Sequence, residues 1–241
     1  MSGHSKWATI HRKKGLIDAE RGKIFQKLAK EIYVAAKGTN GDPEANPSLR
    51  MVIEKCRSQN MPKDNIQKAI DKAVGASGGE DFESIRYEGY GPNGIAFMVD
   101  CLTDNRNRTA SLVRAAFTKR GGNLGTDGSV SYMFNRKGII VIEKTVDEDE
   151  LMMTVLDNGA LDLIVNDDSY EIYTTPDTFI AVKEAMEAMG ITEFLTSEIT
   201  YIADNEITLD DPEAKEKVLK LVEALEDIDD VQDVYNNLCE D

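Results

Sequence analysis

Across Gly75-Ala76-Ser77-Gly78-Gly79 the spacing of apolar residues changes from 3.6 to 2. The first period buries one stripe of a helix and the second buries one face of a sheet, so no single uniform architecture can hold this chain. Before the change, Ile24, Phe25, Leu28, Ile32, Ala35 and Ala36 share one helical face, and Lys23, Lys27, Lys30 and Lys37 share the opposite one. Asp18 is the expected cap of this helix, following an extended basic arm, and Gly38 stands just past its end. Asn46-Pro47 opens a second helix with Leu49, Val52, Ile53 and Cys56 inward. Met61-Pro62-Lys63-Asp64 starts a third through Ile66, Ala69, Ile70 and Ala73. Three short amphipathic helices make a small bundle.

After the glycines, residues 85–87 and 95–102 read as strands joined by Gly89-Tyr90-Gly91-Pro92-Asn93-Gly94. A helix over 106–119 ends at Gly121-Gly122, and Val130-Tyr132-Phe134 alternates like another short strand. From Gly138 the order is strand (139–143), helix (148–158), strand (161–165), strand (170–174), helix (176–189), strand (193–201). That β-α-β-β-α-β order is a complete ferredoxin-like unit. The leftover strand, helix and strand near 207–234 are too small to stand alone and complete the sheet begun before residue 135. The expected fold is therefore α+β with three domains. A basic arm and helical bundle occupy 1–78, and an α/β domain is built from 79–135 with 205–241. An acidic ferredoxin-like α/β domain over 136–204 is inserted into it.

Charge follows the same divisions. Residues 1–75 hold 15 Lys and Arg against 8 Asp and Glu, whereas residues 145–241 hold 4 against 28. A chain of net charge −16 is repelled by polyanions as a whole, so its basic first third carries the footprint of a phosphate-binding module. The expected nucleic-acid contacts are Lys6, Trp7, His11, Arg12, Lys13, Lys14, Lys23, Lys27 and Lys30. Trp7 can stack on an unpaired base, although a lone aromatic more often packs on its own helix. Arg106, Arg108, Arg114, Lys119 and Arg120 form a weaker second patch beside Gly121-Gly122-Asn123-Leu124-Gly125. That loop matches no phosphate-binding fingerprint, and a helix C-terminus with an ordinary turn is the better account of its glycines. The acidic runs at 147–150 and 226–230 read as solvated charge that restrains the basic arm and can meet a basic protein partner.

No nucleophile–base pair, metal-ligand spacing or cofactor loop is present in the sequence, so no catalytic residue, metal or cofactor is expected. Cys56, Cys101 and Cys239 are far apart and fit a reducing compartment. The N-terminus lacks the apolar core of a signal peptide and no run spans a bilayer, so a cytoplasmic protein without membrane contact is expected.

Met1-Ser2-Gly3-His4-Ser5-Lys6-Trp7 with Ile10, Lys13 and Lys14 resembles the opening of the YebC family. Arg21–Phe25, Asn46-Pro47 with Leu49-Arg50, Asn60–Ile66, Tyr87–Pro92, Leu225–Asp227 and Asp229–Gln232 are similar to the same family. The resemblance implies a helical N-terminal domain and two α/β domains, one inserted into the other, in a cytoplasmic, non-enzymatic regulator. It implies action on promoter DNA as a transcriptional regulator or on ribosomal RNA in translation. It brings no catalytic residues.

Overall fold

The computed structural model describes residues 7–75 and 81–239, with side chains from Arg21 onward. Helix α1 (Trp7–Ala36), α2 (Pro47–Ser58) and α3 (Lys63–Val74) form the N-terminal bundle. The first helix begins at Trp7, so Asp18 lies inside it and the expected extended arm is helical from that point. Ala, Lys, Arg and Leu between Trp7 and Ile17 are strong helix formers, and the lone Gly15 there is tolerated. The Asn46 side-chain oxygen accepts from Leu49 N at 3.1 Å, capping α2, and its amide donates to Ala35 O at 2.8 Å. One side chain thus ties the start of α2 to the end of α1. Leu28, Ile32, Ala36, Leu49, Ile53, Cys56, Ile66 and Ile70 meet in the bundle core.

Strands β1 (Glu83–Tyr90) and β2 (Ala96–Thr103) form an antiparallel hairpin in register from Glu83↔Thr103 to Tyr90↔Ala96. Helix α4 (Arg106–Lys119) and the two-residue β3 (Asn123–Leu124) come next. The chain then runs through β4 (Phe134–Glu143), α5 (Glu148–Asp157), β5 (Ala160–Val165), β6 (Ser169–Thr174), α6 (Phe179–Ala188) and β7 (Thr196–Ala203). It continues as β8 (Ile207–Thr208), α7 (Pro212–Glu226), β9 (Val231–Asn236) and β10 (Leu238–Cys239).

Two compact units result, one from Ile17–Phe134 with Ala203–Cys239, the other around Asn135–Ile202. In the first, a sheet of order β3-β1-β2-β9 packs against α4 and α7. Phe97, Val99, Val113, Phe117, Leu221, Leu225 and Val231 fill its core, with Phe97 and Phe117 edge to face at 5.8 Å. In the second, the order β5-β6-β4-β7 is the ferredoxin-like arrangement, with the first and third strands of the motif paired at the centre. Ile140, Ile142, Tyr170 and Ile172 on its sheet bury Leu151 and Val155 of α5 and Val182 and Met186 of α6. The architecture is α+β.

Three local expectations change. Val130–Met133 is not a strand: residues 131–133 form a single 3-10 turn before β4 begins at Phe134, because the Glu88 carboxylate takes up the Val130 and Ser131 N–H groups a ladder would need. Helix α6 starts after Thr178 rather than at Pro176, since the Thr175 hydroxyl accepts from Thr178 N at 3.2 Å and holds the intervening residues in a turn. The last strand of the ferredoxin-like unit is Thr196–Ala203.

Candidate nucleic-acid interface

The lysine face of α1 meets the carboxyl end of α7. Lys23 Nζ donates to Asp227 Oδ1 at 3.0 Å, Lys27 Nζ to the Glu226 carbonyl at 2.7 Å, and Lys30 Nζ to the Asp229 carbonyl at 2.9 Å. The last carbonyls of a helix carry partial negative charge and lack intrahelical partners, so ammonium groups are stabilised there. Burial pushes the Lys27 ammonium below its ordinary range, against the pull of Glu226 and Asp233. Lys27 and Lys30 are thereby drawn, part-buried, into a contact within one unit, whereas Lys23 pairs with Asp227 and stays exposed.

Asp230, expected as solvated charge, is 4% exposed. It accepts from Arg108 Nη2 at 2.7 Å and from the Thr109 hydroxyl at 2.8 Å, and lies 3.4 Å from Lys30 Nζ. Desolvation would raise its pKa, but these donors and the two cations hold it below the usual carboxylate range. Arg108, still exposed, is thereby paired with both Asp230 and Asp104. Deeper in the same contact, Lys55 Nζ donates to Glu31 Oε1 at 2.9 Å and Asp233 Oδ2 at 2.8 Å. Burial works against the Lys55 charge, yet the two carboxylates raise its pKa, while burial raises that of Glu31.

Of the remaining arm residues, Lys6 lies outside the described residues, and Trp7, His11, Arg12, Lys13 and Lys14 are placed on α1 by backbone alone. Arg106, Arg114, Lys119 and Arg120 on and just after α4 are exposed, and no ion pair engages them among the described residues. The glycines after α4 close it: Gly121, at φ +80°, donates to Thr118 O at 3.3 Å, and Gly122 donates to Phe117 O at 2.8 Å. Gly125 N donates to Glu88 O at 2.8 Å. All three glycine N–H groups are satisfied internally, so the loop offers no phosphate cradle from them.

Glu88 organises the turn between β3 and β4. Its buried carboxylate accepts from Gly128 N at 2.9 Å, Val130 N at 2.8 Å and Ser131 N at 2.7 Å. Desolvation would raise this carboxyl, but the three backbone donors outweigh it and hold the pKa below the ordinary value. The turn so pinned presents Tyr132, 70% exposed, next to the hydroxyl of Tyr90, which itself donates to Ser129 O at 3.3 Å. Glu88 and Tyr90 enter the sequence reading only within the Tyr87–Pro92 stretch, and neither they nor Tyr132 are expected site residues. Tyr132 reads there as one member of an alternating strand, and only the neighbouring Asp-Gly-Ser hints at a turn.

Among the described residues no group of three His, Cys, Asp or Glu could hold a metal ion, and no helix is long and apolar enough to cross a membrane. The three cysteines are free and buried, and burial pushes the Cys56 and Cys101 thiols up to about 12.

Residues 5–76 match the family described as "TACO1/YebC protein N-terminal domain", and residues 82–238 match "TACO1/YebC second and third domain". The chain belongs to the TACO1/YebC family. A family relative from Geobacillus thermodenitrificans, named "Probable transcriptional regulatory protein", is 56% identical over 100% of this chain and 98% of its own. "Probable transcriptional regulatory protein YrbC" from Bacillus subtilis is 52% identical over 98% of this chain and 99% of its own. The crystal structure of a conserved hypothetical protein, Aq1575 from Aquifex aeolicus, superposes with a TM-score of 0.78 at 46% identity, covering 92% of this chain and 91% of that one. The TACO1/YebC match thus spans both compact units.

Proposed function

We propose that this chain is a non-enzymatic, nucleic-acid-binding regulator of gene expression acting in the cytoplasm. The observation that carries the reading is the set Arg106, Arg114, Lys119 and Arg120, exposed on and just after α4 of an acidic protein and not engaged by any carboxylate among the described residues. Exposed cations that no carboxylate neutralises can exchange their counterions for the phosphates of a polyanion. We assign phosphate contact to this set and to the arm residues Lys6, His11, Arg12, Lys13 and Lys14, with Trp7. Lys23, Lys27 and Lys30 we assign to the internal contact with α7. The printed names of the relatives favour promoter DNA and transcription. Exposed Tyr90 and Tyr132 favour RNA, and with it a role in translation on the ribosome.

Fluorescence anisotropy with labelled duplex DNA and with a folded RNA, each titrated across salt, tests this. Affinity is expected to fall linearly in log–log terms with salt. Arg114→Glu with Arg120→Glu is expected to weaken binding and lower the slope by about 2, one unit per lost phosphate contact. Failure of the wild-type protein to bind either polymer at low salt would overturn the reading.

A further inference from the structure

We propose that Tyr132, with Tyr90 beside it and the end of α4 near the Tyr90 backbone, is a stacking site for an unpaired base of single-stranded RNA. The inference rests on the nucleic-acid-binding reading and names the part of the polymer that this surface takes. Large aromatic side chains are ordinarily buried, and Tyr132 leaves 70% of its surface in water. Its position is not accidental fraying. The three N–H bonds to buried Glu88 fix residues 128–131, and Met133 N donates to Val130 O at 2.9 Å, so the ring projects from a clamped turn.

The end of α4 lies close to the Tyr90 backbone. Arg120 ends α4, Gly122 lies so near β1 that a Cβ there would come within 2.7 Å of the Tyr90 carbonyl, and Asn123 pairs with Tyr90. Tyr90 in turn meets Tyr132 through their hydroxyls. A nucleotide whose base lies on the Tyr132 ring can therefore place its phosphates toward the end of α4. Stacking on an exposed ring with cations alongside is sequence-tolerant and requires a base that is not already in a duplex. Duplex DNA hides its base faces, whereas loops and single strands are where RNA is ordinarily read through its bases. Single-stranded RNA is accordingly the occupant.

The test is anisotropy at low salt with the full-length protein and a labelled 12-nucleotide oligouridylate, the same sequence as DNA, and a matched RNA duplex. Tyr132→Ala is expected to weaken the single-stranded RNA roughly tenfold and leave the duplex unchanged. Tyr132→Phe, which keeps the ring and loses the hydroxyl, is expected to retain wild-type affinity. Arg114→Glu with Arg120→Glu is expected to weaken both RNAs. Tyr132 is exposed, so Tyr132→Ala should melt with the wild-type protein, and circular dichroism checks this. If Tyr132→Ala binds the single strand as well as wild type while the charge reversals weaken it, the stacking site is wrong and the nucleic-acid reading stands. If wild type binds none of the three, both fall. Equal or tighter binding of the DNA strand overturns the choice of RNA.

Discussion

Replacing Lys55 by Met removes the cation that bridges Glu31 and Asp233 and should steepen the pH dependence of stability that Glu31 already gives the wild-type protein. Both carboxylate oxygens lie within 3 Å of one nitrogen, so they are no more than about 5.7 Å apart. At an effective dielectric of about 20, two unit charges at that separation repel by roughly 3 kcal/mol. Breaking a buried pair by deleting one partner costs about 3–5 kcal/mol, and the partial exposure of Asp233 draws the expected loss to the low end, about 3 kcal/mol at pH 7.5. Burial already raises the Glu31 pKa with Lys55 present, and without it the rise is larger. A carboxyl whose folded pKa exceeds its unfolded value binds more protons when folded, so stability falls as pH rises through the folded value. The variant should therefore recover 1 kcal/mol or more, as an order-of-magnitude figure, between pH 7.5 and pH 5 as Glu31 takes a proton. Adding Glu31→Leu should recover most of the loss at every pH, because an apolar side chain in that position has no charge to leave unpaired. Urea denaturation combined with hydrogen exchange in peptides from α2 and β9 reads the unit that holds the triad. A loss below about 0.5 kcal/mol, or the same loss at both pH values, would refute the electrostatic account.

Glu88→Gln should cost roughly 2 kcal/mol, since an amide has one acceptor oxygen for three N–H donors and turns its own NH₂ toward one of them. Exchange protection at Val130 and Ser131 would drop with it; unchanged protection would dismiss the clamp. In the wild-type protein the depressed Glu88 carboxyl contributes stability that is complete above the unfolded value of about 4.3 and lost as pH falls through the folded one, and the variant should lack that acid limb. Gly138→Ala should destabilise the ferredoxin-like unit by about 1–3 kcal/mol, because the new Cβ would lie 2.5 Å from Phe179 Cδ2 and closer still to the Thr174 hydroxyl. An unaltered thermal melt of that unit would show that β4 has room there.

Apolar periodicity carries the architecture in this chain. The 3.6 repeat ending at Gly75, the alternation beyond it, and the order of elements from Gly138 to Ala203 already contain the bundle and the ferredoxin-like unit, because burying a stripe or a face is a local property of spacing. Local errors came where a side chain competes for backbone N–H groups. Glu88 turns the stretch Val130–Met133 away from a strand from about forty residues away, and Thr175 delays α6. Charge behaved differently. Composition alone says that the first third is basic and the last two-fifths acidic, so that the two attract. Which cations that attraction engages depends on the fold, which sets Lys23, Lys27 and Lys30 on the carboxyl end of a helix some 200 residues later and pairs Arg108 with Asp230. Range separates the two cases: hydrophobic period is written in neighbours along the chain, whereas a salt bridge is written in neighbours in space. Arg106, Arg114 and Lys119 of α4 are among the cations that pairing leaves facing water.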